Sequence, residues 1–162
     1  KNVFDSAGTS GLLGNLANNI LGNAASSILG SLKIGGTGIF DHLHLQTRDC
    51  KINFFNSGAV IIRDKNDTVI GEIIMSDKIE NAAGLHTGIA AKELEDMYSA
   101  PNDTRSVSFD VPDLVRQLLP GITASKSYEC RKYETAEKDA FLEVFSLDDT
   151  VKLMILSKAA EK

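Results

Sequence analysis

Tryptophan is absent from this chain, and cysteine, proline and histidine are scarce, at two, three and three residues among 162. Each scarcity excludes something. With no Trp and 6% aromatic residues, there is little material for a platform on which single-stranded bases could stack. Cys50 and Cys130 are too few and too far apart to read as a metal framework. They read as two buried thiols in a reducing environment, and a bridge would require adjacent strands to bring them together. Concentrated positive charge is also missing. The net charge is −5 and Arg131-Lys132 is the only adjacent basic pair, so the sequence points away from nucleic acid as a partner.

Catalytic signatures are missing as well. There is no Gly-x-Ser-x-Gly elbow, no helical His-Glu-x-x-His and no Gly-Lys-Ser or Gly-Lys-Thr loop. Gly35-Gly36-Thr37-Gly38 lacks the strand and helix context of a phosphate cradle and reads as flexible linkage. His42 and His44 share one face of an expected strand, where two imidazoles can meet one metal. A third ligand is not evident, since His86 is the only other histidine and lies in a loop-like stretch. Carboxylates such as Glu93, Glu95, Asp96 and Asp110 fall on expected solvated faces. No metal, cofactor or catalytic residue is assigned. The Asn-Asp-Thr sequons at Asn66 and Asn102 arise easily by chance and carry no claim.

What the chain does have is an uncharged segment, Ser10 to Leu32, that repeats its residue types every fourth position. Leu12, Leu16, Ile20, Ala24, Ile28 and Leu32 form one row, and Leu13, Ala17, Leu21, Ala25 and Leu29 a second. A small row, Gly14, Asn18, Gly22, Ser26 and Gly30, and a polar row of Asn and Ser complete the pattern. On a helix, rows of period four drift about 40° per step, so the apolar stripe winds around the axis. Such a helix needs several neighbours, and its glycines and asparagines leave it dependent on packing for order.

Three readings compete: a helix covering its own sheet, a helix contacting other subunits, and a membrane segment. The small row Gly22, Ser26 and Gly30 permits close helix approach and favours the subunit contact. Its contact residues are Leu12, Leu13, Leu16, Ile20, Leu21, Gly22, Ser26, Ile28, Leu29 and Gly30. Asparagines and serines count against insertion into a bilayer, so membrane contact through the arm ranks last.

The only charges before Asp41 are Lys1, Asp5 and Lys33. This shift in composition, with Gly35 and Gly36, places a hinge at about residues 33 to 38. It divides the chain into an N-terminal arm, 1–36, and a compact antiparallel α+β domain, 37–162. Strands are expected at Ile39–Gln46, Cys50–Asn56, Ala59–Arg63 and Thr68–Met75, as a four-strand meander. A helix over Ile89–Tyr98, a strand at Arg105–Val111 and a helix at Asp113–Leu119 follow, the last started by Pro112 and stopped by Pro120-Gly121. Three strands close the chain: Lys126–Thr135, Phe141–Ser146 and Val151–Ser157.

The expected fold class is α+β: mainly an antiparallel β sandwich or small barrel with two short helices, preceded by an N-terminal helical arm. The expected function is a non-enzymatic structural subunit that oligomerises through its arm into a ring, tube or filament. Virion and tail-like particles are the architectural analogy, with copies of itself and other assembly subunits as partners. A soluble protein, in an extracellular or virion assembly, fits that role. The alternative is a ligand-binding or metal-dependent enzymatic domain using the His42/His44 face.

Overall fold

The computed structural model describes residues 19–21, 33–39, 43, 50–55, 59–75, 86–98, 101–111, 113, 125–134 and 140–158. Their strands are β1 (Asn19–Leu21), β2 (Lys33–Ile34), β3 (Thr37–Gly38), β4 (Cys50–Phe55), β5 (Ala59–Asp64) and β6 (Val69–Ile74). After a helix, α1 (Ala91–Tyr98), come β7 (Asp103–Asp110), β8 (Ser125–Glu134), β9 (Ala140–Leu147) and β10 (Thr150–Lys158). All ten strands hydrogen-bond into one sheet of order β1-β4-β5-β6-β10-β9-β8-β7-β2-β3, antiparallel throughout. Two meanders, β4-β5-β6 and β7-β8-β9-β10, are thus stitched together by the β6–β10 pair, and α1 lies in the crossover between them.

Turn chemistry explains the meanders. Asp64 Oδ1 accepts the N–H groups of Asn66 and Thr68 at 2.9 and 3.0 Å, and Asp67 adopts φ 65°. This local wrapping makes the expected Asp64–Asp67 loop between β5 and β6. The β9–β10 hairpin turns on Asp148 and Asp149 alone, with φ of 52° and 63°. Aspartate is among the few non-glycine residues that tolerate this region.

The same chain feeds α1. Its first N–H, of Ala91, donates to the Asp149 carbonyl at 2.8 Å, and Val151 and Ile89 also bond backbone to backbone. Along α1, Ala91, Leu94 and Tyr98 lie inward while Lys92, Glu93, Glu95 and Asp96 are exposed, the spacing of a one-sided helix.

Central strands such as β5, β6, β9 and β10 bury apolar residues on both faces, as their unbroken apolar runs imply. Ile73 packs on one side and its neighbour Ile74 on the other. The inner cluster joins Val60 and Ile62 of β5 to Val107 and Phe109 of β7. Those strands are five places apart in the sheet, roughly 24 Å if it were flat. The sheet therefore curls, so that its two halves share one core with Ile39 and Leu43, both fully buried. Leu43 approaches β6 so closely that a Cβ on Gly71 would lie 3.3 Å from its Cδ2. The outer face is covered by α1, whose Ala91 and Leu94 meet Tyr133, Leu142, Val144, Met154 and Leu156.

Several expectations require correction. The fold is not a sandwich or closed barrel with two short helices and a helical arm: the described residues form one curled antiparallel sheet with one short helix, α1. A sandwich would break the strand order, whereas here every neighbour is hydrogen-bonded and curling supplies the inner cover. The described residues of the arm are Lys33–Gly36, in β2 and its turn, and Asn19–Leu21, which form β1, paired residue by residue with Phe55, Phe54 and Asn53. Glycine and asparagine weaken a helix there, and the edge of β4 offers backbone partners instead.

β1 pairs with β4 where the Ile39–Gln46 strand was expected, and the two described residues of that stretch are not extended: Ile39 is helical and Leu43 lies in a turn. Of the second expected helix, only Asp113 falls among the described residues. Gly35 and Gly36, read as a flexible joint, form the two-residue turn of the β2–β3 hairpin at φ 61° and 83°. Ile34 beside them is in the inner core, 1% exposed.

Candidate functional site

The titratable groups nearest to catalytic chemistry sit on the inner face. Cys130 on β8 donates its thiol to Glu143 Oε2 on β9 at 3.8 Å, and Arg105 Nη2 on β7 lies 3.8 Å from the same oxygen. β8 lies between β7 and β9, so the three side chains come from consecutive strands. Cys130 is a free thiol, pushed from 9.0 up to about 12 by burial first and then by the Glu143 carboxylate. The Arg105 guanidinium pulls the other way without prevailing. A thiol so poised stays protonated near neutral pH and is no nucleophile there. Cys50 is on β4, five places from β8 in the sheet, so the two cysteines are not on adjacent strands.

A second polar group lies on the outer face. Glu129, Arg131 and Tyr133 alternate along β8, and Arg131 Nη2 meets Glu129 Oε1 at 2.6 Å. The ring of Tyr133 stands 6.0 Å from that of Tyr98 at the end of α1. Arg131 Nη1 and both tyrosine hydroxyls are buried without an aligned hydrogen-bond partner. Burial raises Tyr133 against the opposing pull of Arg131, and burial alone takes Tyr98 to about 12. Both phenols therefore remain neutral. With Glu129 already on Arg131 and Glu95 adding negative charge nearby, the arrangement does not suit an anion.

Of the candidates singled out in the sequence, His42 and His44 lie outside the described residues. His86 is described, with Nδ1 2.7 Å from the Thr87 carbonyl. Among the described residues, no group of three or more His, Cys, Asp or Glu side chains is placed to hold a metal ion. No helix among them is long and apolar enough to cross a membrane. For the arm contacts, the structure places the backbones of Ile20 and Leu21 in β1. Leu12, Leu13, Leu16, Gly22, Ser26, Ile28, Leu29 and Gly30 lie outside the described residues.

The remaining feature is the pair of sheet margins. β1 ends the sheet on one side, within a segment that carries no charge. On the other side, β2 pairs with β7 only at Phe109 and Asp110. The rest of the outer margin of β7, Asp103 to Ser106, is exposed at every residue. Backbone donors and acceptors along such margins are ready to pair with another strand. Sequence reading missed the β7 margin because it began that strand at Arg105; the consecutive polar residues Asp103 to Ser106 were the available signal. No family model matches the chain, and no curated protein or solved structure is significantly similar to it.

Proposed function

We propose that this chain is a non-enzymatic structural subunit that assembles with copies of itself through its sheet margins, the N-terminal arm supplying one of them. The observation that carries the reading is that, among the described residues, the sheet curls without closing. Its first strand, β1, comes from a segment with none of the charges that commonly block edge pairing. The arm residues flanking β1, from Leu12 to Gly30, extend that contact in this reading, and rings, tubes and filaments, as in virion or tail-like particles, are the forms such margins can build. The protonated state of Cys130 and the neutral phenols of Tyr98 and Tyr133 support a role without chemistry at those groups.

Sedimentation velocity of the full chain over a range of concentrations tests this. Species larger than a monomer are expected, and Ile20→Lys, which places a charge on the margin strand, should reduce them. A chain that stays monomeric at every concentration overturns the proposal.

A further inference from the structure

The outer margin of β7 carries its own recognition pattern. Gly35 N–H donates to the Ser108 carbonyl at 2.6 Å from the β2 side, so Ser108 directs its backbone groups away from β8. The register irregularity between Val107 and Phe109 advances β8 by three residues, Tyr128 to Ser125, and β7 by two. The extra residue thus belongs to β8, and the alternation along β7 is unbroken. Ser106 and Thr104 therefore also direct their N–H and C=O groups outward. Their stretch is bounded by the β2 hairpin at Phe109 on one side and by Pro101, which has no N–H, on the other.

Asp103 and Arg105 flank Thr104 and, two residues apart, share one face of the strand. Arg105 already reaches Glu143 at 3.8 Å, yet its side chain is 52% exposed and keeps donors for a second carboxylate. A strand reading Asp-Thr-Arg is complementary to itself in the antiparallel direction. We infer that β7 pairs with β7 of a second copy about a twofold axis at Thr104, setting Asp103 of each chain opposite Arg105 of the other. Thr104 then faces Thr104 of the second copy in a hydrogen-bonded pair, and two opposite-charge pairs fix the register. A register centred one residue later, at Arg105, sets two arginines against each other. This inference rests on the assembly reading and names one of its contacts.

Cysteine placed at successive positions reads the register in the full chain. In a hydrogen-bonded antiparallel pair, facing Cα atoms are about 5.5 Å apart, inside the reach of a disulfide. Under mild oxidation, Thr104→Cys should give a covalent dimer on a non-reducing gel above the wild-type background. Arg105→Cys and Ser106→Cys should not, since their copies lie roughly 8 and 14 Å apart in this register. Cross-linking strongest at Arg105→Cys, or none at Thr104→Cys, overturns the register.

A second pair of variants works without cross-links. Thr104→Pro removes an outward N–H that pairs with no other strand among the described residues, and Asp103→Lys replaces attraction with repulsion. Each should leave the circular-dichroism spectrum unchanged and weaken dimerisation roughly tenfold or more. If wild-type oligomers persist undiminished in both variants, assembly stands and the β7 contact fails. If the wild type is monomeric, both fail together.

Discussion

The two faces of the sheet bury comparable apolar chains by different means. On the inner face, the sheet covers itself. Phe109 stacks on Tyr128 at 4.1 Å and meets Phe145 edge-on at 5.3 Å, which ties three strands together through their own side chains. The outer face relies on a helix of eight residues laid across β8, β9 and β10. Polar groups follow the same division. The buried Glu143 of the inner face has Arg105 and Cys130 at hand, whereas Tyr98, Tyr133 and Arg131 on the outer side keep buried atoms without aligned partners. A face closed by strands in fixed register can match its polar groups. A short helix held by a few apolar residues leaves that matching incomplete.

The comparison is easiest to break at its strongest point. Phe145→Ala opens a cavity between Phe109 and the inner cluster and should cost about 3–5 kcal/mol in denaturant unfolding. On the outer face, Leu94→Ala should cost less, about 2–3 kcal/mol, because an eight-residue helix can settle into the space. Equal losses would show that the helix is held as rigidly as the strands.

Alkaline pH sharpens the contrast further. The Cys130 thiol titrates higher in the folded chain than its ordinary 9.0, at about 12. Its contribution to stability is therefore complete below pH 9 and is lost as pH rises from 9 towards 12, where only the unfolded chain gains the thiolate. Cys130→Ala should flatten that part of a melting-temperature profile, and a slope unchanged by the substitution would assign it to other groups. Smallest of all is Tyr133→Phe. Since the hydroxyl is buried without an aligned partner, its removal should be neutral or stabilising by up to about 1 kcal/mol. A loss of more than 1 kcal/mol would mean the outer face is fully satisfied after all.

Much of the strand pattern was legible in the residues. The runs expected from Ala59, Thr68, Phe141 and Val151, which fall on β5, β6, β9 and β10, the Asp64 loop and the Asp148-Asp149 turn all follow from local rules, because alternation and turn chemistry act over a few neighbours. The helix expected over Ile89–Tyr98, observed at Ala91–Tyr98, was legible for the same reason. The candidate site was legible only in part. Ile20 and Leu21 were singled out as contacts but as members of a helix, and the β7 margin was passed over.

Local rules stop where pairing between distant strands begins. By itself, the sequence determined an antiparallel, strand-rich chain with one helix before β7, an uncharged N-terminal segment and a thiol at Cys130 bound for burial. Only the tertiary structure decided that Asn19–Leu21 pairs with β4, that Ile39 is helical where a strand was expected, and that β6 meets β10. It also decided that the sheet curls over Ile39 and Leu43 where a sandwich or small barrel was expected. The reason is physical: hydrogen bonds along a strand margin are available to any strand that reaches them. Which strand arrives depends on burial summed over the whole fold, which no window of neighbouring residues contains.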